Sequence, residues 1–79
     1  MNEVKVNNVY RHFKGNYYYV KDIAYDSETL ERVVIYTALY DEHKTYVRKE
    51  SVFLEEIGER SDNVTGQKVR FELIDMGVK

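Results

Sequence analysis

Tyr10-Arg11-His12-Phe13-Lys14 places two fixed cations, an imidazole and two aromatic rings in five consecutive positions. In an extended chain Arg11 and Phe13 share one face while Tyr10, His12 and Lys14 share the other. Donors with aromatic neighbours could therefore meet an anion or a stacked ring from either side. The competing reading pairs Arg11 with an acidic loop and makes His12 a hydrogen-bonded packing residue. Arg48 and Arg70 form a second group, each inside an apolar run: Tyr46-Val47-Arg48 and Val69-Arg70-Phe71. A planar guanidinium beside tyrosine hydroxyls suits phosphate or carboxylate recognition, and the alternative is a structural ion pair with Glu28 or Glu72. The third group is the tyrosines. Eight of them cannot all be core in 79 residues, because each buried hydroxyl requires a partner. Tyr17, Tyr19, Tyr36, Tyr40 and Tyr46 could build a stacking platform, an oligomer interface or part of the core.

Catalytic constellations are weak. Ser27 lies between Asp26 and Glu28, but no His is near it in sequence and no nucleophile-elbow glycines surround it. Asp41-Glu42-His43 brings two carboxylates and an imidazole into one turn, yet metal ligation would need His12 or distant carboxylates to join. No glycine-rich loop is suited to cradle phosphate. Asn63-Val64-Thr65 matches a glycosylation acceptor without secretory context. The expectation is a chain with no catalytic residues, no metal and no cofactor.

The elements that must hold these groups are short. Seventy-nine residues allow one domain, 1–79, which at this size buries only a little over about 60% of its unfolded surface. Cysteine and proline are both absent, so no disulfide framework, thiolate zinc site or cysteine nucleophile exists. The 43% hydrophobic and 33% charged fractions describe an ordinary globular domain. Twelve Lys+Arg against fourteen Asp+Glu leave a formal charge of −2, which argues against nucleic acid except as a local basic face near the first hairpin. The N-terminus lacks a run of signal-peptide length and no 18 consecutive residues are apolar, so the expected location is the cytoplasm, with no membrane partner.

Val9 to Phe13, the turn Lys14-Gly15-Asn16 and Tyr17 to Ala24 read as a β-hairpin. Strict alternation in the second strand puts Tyr18, Val20 and Ala24 on one face and Tyr17, Tyr19 and Ile23 on the other. Asp26-Ser27-Glu28-Thr29 is a turn whose side chains bond backbone amides, which makes the acidic loop a structural device. Arg32 to Tyr40 is the densest β-branched run and reads as the central strand; Thr45 to Arg48 returns beside it. Ser51 to Ile57 reads as a short helical turn or irregular strand that covers an open end. Gly58 to Gly66 is a surface loop, and Lys68 to Ile74 alternates as a half-buried last strand. Five short strands favour a strongly bent antiparallel sheet closing into an SH3-like barrel, with an open curved sheet capped by the Ser51–Ile57 helix as the alternative.

The order Tyr10-Arg11-His12-Phe13-Lys14-Gly15-Asn16, Tyr18-x-Val20, Ser27-Glu28-Thr29, Val34-Ile35-Tyr36-x-x-Leu39-Tyr40, Val47-Arg48, Phe53 and Arg70-Phe71 resembles a bacterial and phage family known as domain of unknown function 1653. The resemblance spans roughly residues 9 to 71. Three positions depart from the family pattern: Tyr46 stands for its usual Trp, Lys49 for its Pro and Asp26 for its His. The resemblance implies a small β domain and brings no established activity.

The leading functional expectation is a non-enzymatic binding module for a small anionic or nucleotide-like ligand, acting by sequestration. Arg11, His12, Arg48 and Arg70 would supply charge and hydrogen bonds, and Tyr36, Tyr40 and Tyr46 would supply stacking or hydroxyl contacts. The alternative is a protein-interaction subunit that forms a homo-oligomer or docks on a larger partner through its tyrosine surface. A nucleic-acid-binding barrel is the weakest of the three.

Overall fold

The computed structural model describes residues 3–74. Strand β1 (Asn8–His12) and strand β2 (Tyr17–Tyr25) form the first hairpin; β3 (Arg32–Ala38) and β4 (Thr45–Lys49) form the second; helix α1 (Glu50–Phe53) follows, and β5 (Phe71–Leu73) ends the sheet. Gly15 sits at φ 107°, open to glycine and strained for other residues, and this lets the first turn close with the Gly15 amide bonded to the His12 carbonyl. The Asp26 carboxylate accepts the amides of Glu28 (2.8 Å) and Thr29 (3.1 Å), so the acidic turn is a self-bonded structural loop.

All five strands lie in one antiparallel sheet of order β4-β3-β2-β1-β5. The middle strand is therefore β2, not the β-branched β3 that composition favours. The sheet bends without closing: β4 and β5 are its two edges, and among the described residues no ladder joins them. A barrel seam would need a long last strand, whereas β5 pairs with β1 through three residues only. The gap is filled by α1 and by the segment after it. Phe53 lies face to face on Phe71 at 4.1 Å, and the Glu56–Val69 bridge ties that segment to the approach into β5.

A register shift between Val20 and Asp22 overturns strict alternation in β2. Val20 pairs with Tyr36, Asp22 with Ile35 and Ile23 with Val34, so Lys21 is an extra residue and the two faces exchange beyond it. Ile23 consequently packs against the core, together with Tyr18 and Leu54, and Ala24 moves to the opposite side. The buried face carries Tyr10, Val20, Val34, Tyr36 and Phe71, roofed by Phe53 and by Val4. The other face carries Val9, Arg11, Tyr17, Tyr19, Ile35, Thr37 and Val47.

Among the described residues, no helix is long and apolar enough to cross a membrane. Gln67 is the single buried polar residue there: its amide nitrogen donates to the carbonyls of Arg11, Val69 and Arg70 and knots the last loop to β1.

Candidate functional site

The ladders align one end of the inner face. His12 pairs with Phe71, Tyr18 with Ala38, Tyr36 with Tyr46, and Val34 with Arg48, so all of these side chains project to the same side. The bend then brings the two edges together over the floor. Arg48 reaches from β4 across the sheet until its guanidinium carbon lies 5.6 Å from the Phe71 ring centre. Around Phe71 the rings of His12 (4.8 Å), Tyr18 (5.4 Å) and Tyr36 (5.3 Å) all stand edge to face. Tyr40 stands edge-on to Tyr18 at 5.5 Å, and Tyr46 tilts against Tyr36 at 5.7 Å.

The polar atoms of this cluster are mostly donors. Arg48 Nε donates to the Tyr36 hydroxyl at 3.0 Å, which leaves the Tyr36 proton to be given elsewhere. The Tyr18 and Tyr40 hydroxyls share one short hydrogen bond, so one of the two retains a proton to donate outward. Burial, then the bond to Tyr40 and the nearby Tyr36 and Tyr46 rings, raises the Tyr18 pKa above the ordinary phenol range. The Lys14 amide donates to His12 Nδ1 at 3.1 Å, so the neutral imidazole carries its proton on Nε2. Burial, followed by the charges of Arg48, Arg70, Lys14 and Arg60, lowers the His12 pKa to about 4, which keeps the ring neutral at physiological pH. A cavity of about 420 Å³ adjoins the cluster, sharing Tyr40 and Tyr46 with it and rimmed by Asp41, Glu42 and Lys44.

Five of the residues singled out from sequence meet here: His12, Tyr36, Tyr40, Tyr46 and Arg48. Two do not. Arg11 lies on the outer face near Glu72 (3.9 Å), with a buried Nε that has no partner among the described residues. Arg70 pairs with Glu55 at 2.7 Å, an ion-pair role with a different partner from the Glu28 or Glu72 expected, and its guanidinium carbon lies 5.8 Å from the Phe13 ring centre. Tyr17 and Tyr19 are likewise on the outer face, where the Tyr19 hydroxyl donates to Asn7 Oδ1.

Sequence reasoning missed Tyr18 and Phe71. The tight turn at Gly15 registers Tyr18 opposite Tyr10, which local alternation could have flagged; Phe71 arrives only through the β1–β5 pairing, which has no local signature. Among the described residues, no three of His, Asp and Glu gather as a metal-ligand set. A second open cleft, of about 540 Å³ between Glu56 and Lys68, shares no residue with the aromatic cluster.

A crystal structure of a protein belonging to the DUF1653 family from Bordetella bronchiseptica is similar to this chain at 30% sequence identity, covering 89% of this chain and 87% of that one, with a TM-score of 0.71. No curated protein matches. The family described as "Protein of unknown function (DUF1653)" matches residues 8–73, which span all five strands, and the chain belongs to that family.

Proposed function

We propose that the domain is a non-enzymatic binding module that holds a small anionic, ring-bearing molecule in the His12–Tyr18–Tyr36–Arg48 cluster. The observation that carries this reading is Arg48. Among the described residues no carboxylate lies within 4.0 Å of its guanidinium, although Arg11, Arg32, Arg60 and Arg70 all have one. A cation held over an aromatic ring, with tyrosine protons beside it, is suited to receive an oxyanion. The cluster offers donors and rings rather than paired carboxylates or a nucleophile, which favours retention of a ligand over its turnover. Thermal-shift measurement against nucleotides and aromatic carboxylates tests it: a ligand at about 100 times its dissociation constant stabilises by roughly 2.7 kcal/mol. The effect should vanish in Arg48→Met, and a full panel without any shift would overturn the reading.

A second reading, self-association, is favoured by the β4 edge. The Ala38 amide bonds the Lys44 carbonyl, so by antiparallel alternation residues 44, 46 and 48 bond inward to β3 and residues 45, 47 and 49 turn their backbone groups outward. Two copies paired about Val47, which is 64% exposed, would set Tyr46 opposite Arg48 of the second copy without a like-charge clash. Solution mass at high concentration checks this. A strict monomer removes it, and Val47→Pro, which spares the β3 ladder, should abolish any dimer.

A further inference from the structure

We infer that the cluster selects a flat ring bearing one singly charged oxyanion, either a carboxylate or a phosphodiester, over the same kind of ring bearing a doubly charged group. This rests on the binding reading above and narrows it by counting charge. Of the cations around His12, Arg70 is matched by Glu55 at 2.7 Å, while Arg60 and Lys14 share Asp62 at 2.9 and 3.9 Å, a surplus positive charge that the surplus negative charge of the Asp41–Glu42–Lys44 rim offsets. Arg48 remains. Its other neighbours on the inner face, Tyr18, Tyr36, Tyr40, Tyr46 and the His12 ring, are neutral hydrogen-bond groups.

One negative charge on a ligand therefore completes the Arg48 ion pair, and hydroxyl and imidazole protons satisfy the remaining oxygen lone pairs. A second negative charge meets no further cation that lacks a carboxylate partner. It faces instead the Asp41 and Glu42 rim of the adjoining cavity, whose Lys44 already lies 3.6 Å from Glu42. A charge removed from water without a partner is strongly disfavoured, so the doubly charged group loses more hydration than it regains. The ring requirement comes from Tyr46, which is 41% exposed and backed by Tyr36, leaving aromatic surface available for stacking.

The test is calorimetric titration of the full chain with matched pairs. One pair is a nucleoside 3′,5′-cyclic monophosphate against the 5′-monophosphate of the same nucleoside; the other is 2-naphthoate against 2-naphthyl phosphate. At pH 7.5 the singly charged member of at least one pair should bind tenfold or more tightly, and the pair that responds identifies phosphodiester or carboxylate chemistry. The monoester's second proton titrates near about pH 6. At pH 5 its affinity should therefore rise at least fivefold, while that of the cyclic phosphodiester or the carboxylate stays level. The His12 ring packs against Phe13, Tyr18 and Phe71, and its burial with the charges of Arg48, Arg70, Lys14 and Arg60 helps keep it neutral across this range. Equal or tighter binding of the doubly charged members overturns the charge selection and leaves the binding function standing. Absence of binding by all four probes at both pH values overturns both.

Discussion

Arg48 and Tyr36 meet diagonally across β3 and β4: the ladder sets Arg48 opposite Val34 and Tyr36 opposite Tyr46, and Arg48 Nε spans the diagonal to the Tyr36 hydroxyl at 3.0 Å. Tyr36 is 3% exposed, so its hydroxyl is fixed by packing and in turn fixes the guanidinium. Arg48→Met keeps the aliphatic stem and strands no carboxylate but takes the donor from the buried Tyr36 hydroxyl, so it should cost about 1–2 kcal/mol while abolishing anion binding. Tyr36→Phe should cost about 0.5–1.5 kcal/mol for the lost hydrogen bond and weaken binding without eliminating it. Chemical denaturation alongside titration separates the two effects. If Arg48→Met unfolds the domain as readily as a core truncation does, the arginine is structural.

His12 links the cluster to acid sensitivity. Its pKa in the fold is about 4, lowered first by burial and then by the surrounding cations, against about 6.5 in an unfolded chain. Between those values the unfolded chain binds the extra proton, so this contribution to stability is complete above about pH 6.5 and is lost as pH falls toward 4. His12→Asn retains an acceptor for the Lys14 amide and has nothing to titrate. Denaturation midpoints measured from pH 7 to pH 4.5 should fall less steeply in that variant than in wild type, and identical slopes would count against a neutral, half-buried imidazole.

Much of this was legible locally. The Lys14-Gly15-Asn16 turn, the self-bonded Asp26 loop and the placement of Arg48 beside tyrosine all follow from residues a few positions apart. Long-range pairing was not legible. Arg70 finds Glu55 because the chain after α1 runs extended against Lys68–Arg70, shown by the Arg70 amide on the Glu55 carbonyl and the Ile57 amide on the Lys68 carbonyl. Period-two geometry in β1 already sends Arg11 and His12 to opposite faces, and only burial decides which face holds the site. Lys21 carries no sequence mark of a bulge, so alternation read through it exchanges Ile23 and Ala24.

That exchange is testable. With Ile23 opposite Val34 on the core face and Ala24 opposite Val33 on the outer one, Ile23→Asn should destabilise by about 2–4 kcal/mol and Ala24→Asn by less than about 1 kcal/mol. Unbroken alternation orders the two variants the other way. Urea midpoints of both at neutral pH are enough to decide between the registers.

Glu50 holds the N-terminal segment to the second hairpin through a single carboxylate. Its Oε2 accepts the Val4 amide at 3.0 Å, and its two oxygens take Arg32 Nε at 2.8 Å and Nη2 at 3.3 Å. Burial alone would push the Glu50 carboxyl up, but the Arg32 side chain, the Val4 amide and the Arg32 charge outweigh it and hold the group below the usual glutamate range. A depressed carboxyl contributes stability that is present above its unfolded value, about 4.3, and is lost as pH falls through its lower folded value. This window lies below the His12 window, so wild type should lose stability in two stages on acidification. Glu50→Gln can still accept the Val4 amide but no longer neutralises Arg32. It should cost about 1–2 kcal/mol at pH 7 and shrink the lower stage, to which Asp26 and Asp62 with their lowered carboxyl values also contribute, leaving the His12 stage in place. Amide exchange at Val4 reports the same event locally. Protection there should drop in wild type through the lower stage, and protection that persists to pH 2 would mean that the segment is held by Val4 packing rather than by the carboxylate.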